Sequence, residues 1–192
     1  DNNTLFDRIQ LSVPQAPQDI RVRMNNLAAA FVMTAQGIPF FQAGEEMLRT
    51  KPDGKGGLVE NSYASPDSVN AIKWDTLNDP VVMKTRNHYR GLLTFRKVHP
   101  SLRLTTREEV MNTVTPIHLE NPHAVAFGIR GSNDDPMIAV FNAGIHSQAV
   151  TLPAGKWGIC INADNAGTDV LNTVEGSVSV EAISAMVLIK LA

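Results

Sequence analysis

The sequence predicts two joined units of different class: an α/β unit over residues 1–110 and an all-β unit, an antiparallel β-sandwich, over residues 111–192. Three observations predict it. Apolar residues fall at helical spacing up to about residue 110 and in short alternating runs after it. One of the helical patterns feeds straight into a short run that is apolar throughout, as in a strand covered on both faces. Beyond residue 113, turn residues recur every few positions.

Each element has its own signal. The first long helix runs from about Ile20 to Ala35. Asp19 serves as its N-cap after the loop Pro14-Gln15-Ala16-Pro17, and the apolar stripe is Ile20, Met24, Leu27, Ala28, Phe31 and Val32, stopped by Gly37. The apolar run Ile38-Pro39-Phe40-Phe41-Gln42-Ala43 then predicts a buried parallel strand. Asp79 caps a second helix, Pro80 opens it, and it extends to about His99 with Met83, Tyr89, Leu92, Leu93 and Arg96 on one side. Between strand and helix lies a loop over residues 44–78, and a loop that long inside a compact domain is usually functional.

The second unit is read as roughly seven strands: residues 116–119, 124–129, 137–141, 148–152, 157–162, 178–180 and 185–191. Asn121-Pro122, Gly131 to Pro136, Asn142-Ala143-Gly144, Pro153-Ala154-Gly155 and Asn165-Ala166-Gly167 are the turns between them.

Charge and composition remove whole classes of function. With 17 basic against 19 acidic residues and no run of one sign, the chain lacks the footprint of a nucleic-acid binder, so a neutral or small partner is expected. No apolar stretch approaches the roughly 18 residues of a bilayer span, which predicts a soluble chain without a membrane partner, in an extracellular or cytoplasmic compartment that stays open. Cys160 is the single cysteine and reads as a small buried apolar residue. The five histidines show no ligand spacing, so no metal site is expected from them. Asp134 and Asp135 leave a structural calcium open, with a solvated turn as the simpler reading.

The chemistry concentrates in the first unit. Sites for small polar ligands combine planar hydrogen-bonding groups with an apolar or aromatic face. Asn61, Tyr63, Asp67 and Asn70 in the long loop, Asn2 near the start and Arg49 after the apolar run offer such groups. Each also has a structural reading: loop-stapling hydrogen bonds for Tyr63 and Asn70, a turn cap for Asn2, orientation of neighbouring backbone for Arg49. Glu45-Glu46 follows the apolar run and reads as a pair that satisfies backbone or Arg partners. Trp74 and Trp157 read as packing residues.

The stretch Gly37-Ile38-Pro39-Phe40-Phe41-Gln42-Ala43-Gly44-Glu45-Glu46-Met47-Leu48-Arg49-Thr50-Lys51, with Asn61-Ser62-Tyr63 and Asp67-Ser68-Val69-Asn70-Ala71-Ile72-Lys73-Trp74 after it, resembles the last barrel strand and following loop of type I pullulanases. The opening Asp1-Asn2-Asn3-Thr4-Leu5-Phe6-Asp7 resembles the tail of that family's His-Asp-Asn motif. The resemblance implies that residues 1–110 are the last part of a catalytic (β/α)8 barrel, with residues 111–192 the sandwich that follows it.

It further implies a starch-debranching glycoside hydrolase that cuts α-1,6-glucosidic linkages by a retaining mechanism. Its partners would be an α-glucan and the remainder of the barrel, and no organic cofactor is required. Asp1 would be the family's third catalytic carboxylate, the transition-state stabiliser. The nucleophile and the general acid, which retaining enzymes hold about 5–5.5 Å apart, would lie outside these residues. Isoamylase-like and α-1,4-acting relatives of the amylase clan, and a non-catalytic carbohydrate-binding module, remain alternatives. The Gly-rich insertion over residues 52–60 is longer than the link many relatives have there.

Overall fold

A computed structural model describes residues 2–131 and 134–192. Its helices are α1 (Leu5–Ser12), α2 (Gln18–Thr34), α3 (Asp67–Asn70), α4 (Pro80–Val98) and α5 (Arg107–Thr113), with 3-10 turns at Glu45–Met47, Trp74–Asn78 and Pro100–Leu102. Its strands are β1 (Val114–Ile117), β2 (Ala124–Ile129), β3 (Met137–Asn142), β4 (Gln148–Ile161), β5 (Asn172–Val180) and β6 (Ser184–Lys190). The chain divides into two compact units, one of Asp1–Asn25 with Phe40–Asn87, the other of Asn26–Pro39 with His88–Ala192.

The first unit is helical turns and irregular backbone. Thr4 caps α1, its hydroxyl accepting from the amide of Asp7 at 3.1 Å. Met47, Leu48 and Val82 form a small core with Phe6, Val22, Ile72 and Leu77 packed on it. Residues 38–42 are not a strand. Ile38 is 97% and Phe40 90% exposed, and the described residues contain no parallel pairing. The run is apolar enough for a strand, but a parallel strand exists only where neighbours supply its ladder, and these described residues form no barrel.

The second unit carries one six-stranded antiparallel sheet in the order β1-β2-β3-β6-β4-β5. Residues 148–152 and 157–162, read from the sequence as two strands, belong to one. The Pro153-Ala154-Gly155 signal marks a register shift between Thr151 and Lys156, with Gly155 at φ +115°. Ala126, Ile138, Val140, Val150, Leu152, Trp157, Val180 and Leu188 meet in a single core. Trp157 is 3% exposed and its indole donates to the Pro153 carbonyl at 3.0 Å, so it packs as expected.

Three contacts join the helical residues of this unit to the rest of it. Phe31 sits edge-on to Phe141 with ring centroids 4.7 Å apart. A Cβ placed on Gly91 of α4 would fall 1.9 Å from the carbonyl oxygen of Ala166. Arg96, itself buried, donates to the carbonyls of Met33 at 2.9 Å, Ala35 at 2.7 Å and Gly37 at 2.5 Å. The buried face of α2 is Ala29, Ala30 and Met33, whereas Phe31 and Val32 of the expected stripe are substantially exposed. Trp74, expected to pack under the loop, is 66% exposed at the start of its 3-10 turn.

Candidate functional site

The first unit contains a polar pocket of about 360 Å³, lined by Asn2, Gln42, Arg49, Lys51, Glu60, Ser62, Tyr63 and Asn70. Four residues singled out from the sequence, Asn2, Arg49, Tyr63 and Asn70, therefore meet in one place. Asn61 and Asp67 are exposed and lie outside that lining, Asp67 in the first turn of α3. Asp1, expected to be catalytic, lies outside the described residues.

Hydrogen bonds explain why such distant positions converge. The Thr4 hydroxyl donates to the Arg49 carbonyl at 2.7 Å, and the Arg49 guanidinium donates to the carbonyls of Asn70 and, at 3.0 Å, Ala43. The Asn70 side-chain amide donates to the carbonyls of Ser62 at 2.6 Å and Ser65 at 3.0 Å. The Lys51 ammonium donates to Ser62 Oγ at 2.6 Å, and the Lys51 amide donates to the Asp7 carboxylate at 2.9 Å. With the Asp7 amide on Thr4 Oγ1, these bonds close a ring through Thr4, Arg49, Asn70, Ser62, Lys51 and Asp7.

Asn70 and Arg49 thus hold backbone, the structural alternative to sugar contact for each, while both also line the pocket beside Tyr63, which is 82% exposed. Glu45 and Glu46 accept from the amides of Gln42 and Gly44, as a structural pair would. Glu60 stands 3.5 Å from Arg8, whose guanidinium also donates to the Asn2 side chain.

Sequence reasoning missed Gln42, Lys51, Glu60 and Ser62. Lys51 is only 8% exposed, and burial pulls its pKa below the ordinary lysine value. The nearby Arg49 charge adds to the shift and Asp7 opposes it. Asp7 is fully buried and holds backbone rather than facing the pocket. The pattern Thr4-x-x-Asp7 ahead of an apolar turn is the capping signal that could have pointed to α1.

A second cavity, about 180 Å³ in the other unit, is lined by Phe31, Phe127, Ile129 and Phe141. Its polar residues Thr34 and Gln36 are engaged with the backbone of Ala30, Ser101 and Leu104, so it offers little to a polyhydroxylated ligand. Among the described residues no group of three His, Cys, Asp or Glu side chains is placed to hold a metal ion, and no helix is long and apolar enough to cross a membrane. Asp134 instead accepts from the amide of Ser101 at 3.2 Å and from its hydroxyl.

No protein-family model matches the chain. The pullulanase of Bacillus subtilis (strain 168) is 35% identical over 128 residues, which are 66% of this chain and 17% of that protein. The solved structure of pullulanase from Bacillus acidopullulyticus superposes with a TM-score of 0.91 at 34% identity, covering 99% of this chain and 23% of its own. That of pullulanase type I from Bacillus subtilis str. 168 complexed with maltose gives 0.85 at 27% identity over 100% of this chain and 26% of its own. The chain spans between about a sixth and about a quarter of the length of these relatives. Sequence and fold together make the chain a homologue of the C-terminal portion of pullulanases.

Proposed function

We propose that the chain forms part of a type I pullulanase-like debranching hydrolase, in which the pocket around Arg49, Tyr63 and Asn70 holds glucose units of an α-glucan beside the scissile α-1,6 linkage. The observation that carries this reading is the convergence of Asn2, Arg49, Tyr63 and Asn70, distant in sequence, on one polar pocket of about 360 Å³. The maltose complex of the B. subtilis relative supports it.

In this reading residues 1–110 contribute to a (β/α)8 barrel completed elsewhere on the polypeptide, and residues 111–192 form the sandwich domain. The exposed apolar run at Ile38 and Phe40 suits a strand that takes its ladder from such a barrel. The nucleophile and the general acid stand on the rest of that barrel. Asp1 binds and distorts the sugar as bond cleavage builds oxocarbenium character.

The residues of this chain bind and orient. The side-chain carbonyl of Asn70 and the Arg49 N–H groups not used on backbone take hydroxyls, and the open face of Tyr63 takes the C–H surface of a pyranose; Asn61 and Asp67 extend these contacts along the loop. The reaction needs no organic cofactor, and any calcium would be structural.

The test is reducing-sugar release from pullulan and from amylose by the full-length protein and its Asp1→Asn variant. Pullulan cleavage that falls by orders of magnitude in the variant is expected. Preference for amylose would keep the clan and move the linkage to α-1,4. Cleavage of neither would leave a binding module.

A further inference from the structure

We infer that Lys51 is a positioning residue of this pocket, acting through Ser62 to set where Tyr63 stands against the sugar; the inference rests on the glucan-binding reading above. Within the ring of hydrogen bonds, every other link uses at least one backbone group. Lys51 Nζ to Ser62 Oγ, at 2.6 Å, is the link made by two side chains, and it joins the backbone after Arg49 to the segment that carries Tyr63. Both partners are shielded, Lys51 at 8% and Ser62 at 7% exposure, while Tyr63 next along the chain is 82% exposed and free of regular secondary structure.

A lysine is an expensive choice for a mere spacer. Burial disfavours its charge, as the lowered pKa of Lys51 reflects, and the adjacent Arg49 charge adds to the penalty. A shielded cation keeps that position only where its hydrogen bonds are met. Here one is met by Ser62, while the backbone amide of the same residue is fixed by the fully buried Asp7. The base of the side chain is therefore anchored to α1, and its tip selects one placement for Ser62. The Asn70 side chain and the Ser65 amide both reach the Ser62 carbonyl and leave the hydroxyl to Lys51.

The experiment uses the full-length enzyme with pullulan as substrate and two single variants, Lys51→Met and Ser62→Ala, with the double variant. Each single change is expected to raise KM about tenfold, the scale of one charge-assisted hydrogen bond, with kcat held within about twofold. The double variant is expected to be no worse than the worse single one, because both changes cut one link. Unchanged KM in both single variants would overturn the inference, as would losses that multiply in the double variant. A fall in kcat with KM unmoved would also overturn it, since that points to a role in the chemical step. If Lys51→Met does not fold, Ser62→Ala alone decides, because it deletes a single hydroxyl and keeps the stem packing. Failure of the underlying reading is distinct: the unmodified enzyme would then release no sugar from pullulan.

Discussion

Arg96 Nη1 donates to the carbonyl oxygen of Ala35 at 2.7 Å, so that a side chain of α4 completes the backbone hydrogen bonding just past the end of α2. Helix C-termini leave carbonyls without partners and carry partial negative charge, and a planar cation satisfies several of them at once. Burial pulls the Arg96 pKa below its ordinary value, and the Arg103 charge adds to the effect.

Arg96→Met should therefore lower unfolding free energy by about 3 kcal/mol, the scale of buried carbonyls left unpaired. Arg96→Lys should recover part of the loss, because an ammonium cannot span three carbonyls in a fixed fork. Urea titrations of the three proteins measure both. Equal stability of the Lys variant and the parent would show that the fork geometry is not used.

Gly91→Ala should destabilise, against the ordinary expectation for a helix interior, where Ala is favoured by about 1 kcal/mol. The new Cβ would meet the Ala166 carbonyl oxygen at 1.9 Å, a backbone atom that cannot rotate away. A net loss of about 1–3 kcal/mol is expected from overpacking. A raised melting temperature would mean that the turn after β4 yields freely.

His99 supplies a pH dependence. Its side chain is mostly buried beside Phe95, and desolvation lowers its pKa from 6.5; Asp134, at 3.6 Å, and Asp135 oppose the shift. The unfolded chain then binds the proton more readily than the folded one. Stability contributed by neutral His99 is full above pH 6.5 and declines as pH falls through the window beneath it. Melting curves at pH 7.5 and about 5.5 should differ less for His99→Gln than for the parent. An identical difference in both would remove His99 from the account.

Cys160 should be inert in the folded protein. It is 1% exposed, and burial, helped by the Asp169 carboxylate, pushes its thiol pKa up to about 11. A colorimetric thiol reagent at about pH 8 should label nothing until denaturant is added, and then one thiol per chain. Rapid labelling of the native protein would contradict this placement.

What could be read from the sequence followed how local its cause was. The span of α4 and the bounds of β2 are set by nearby residues, Asp79 and Pro80 for the helix, alternation and Asn121-Pro122 for the strand, and the reading came within a residue of the structure. For β5 the sequence supplied only residues 178–180 of Asn172–Val180, because the outer strand of the sheet keeps its remaining residues largely in solvent and so lacks an apolar pattern. Ile38 to Gln42 misled for the opposite reason: apolarity was legible, but ladder partners are a property of distant chain. In the pocket, Asn70 was found by its chemistry. Lys51 and Ser62 stand in the motifs without a role of their own, because the bond that joins them is made only by the fold.

The Gly-rich insertion is pinched at its base. Pro52 and Leu58 form an antiparallel bridge, the Val59 amide donates to the Lys51 carbonyl at 2.9 Å, and Asp53 accepts from the amides of Lys55 and Gly57. Lys51 below the neck and Glu60 beyond it line the pocket, while residues 53–57 at the tip are exposed. A stem of this kind uncouples length from placement. Evolution, or a protein engineer, is free to shorten, lengthen or decorate the tip as a cassette while the walls of the pocket stay where they are.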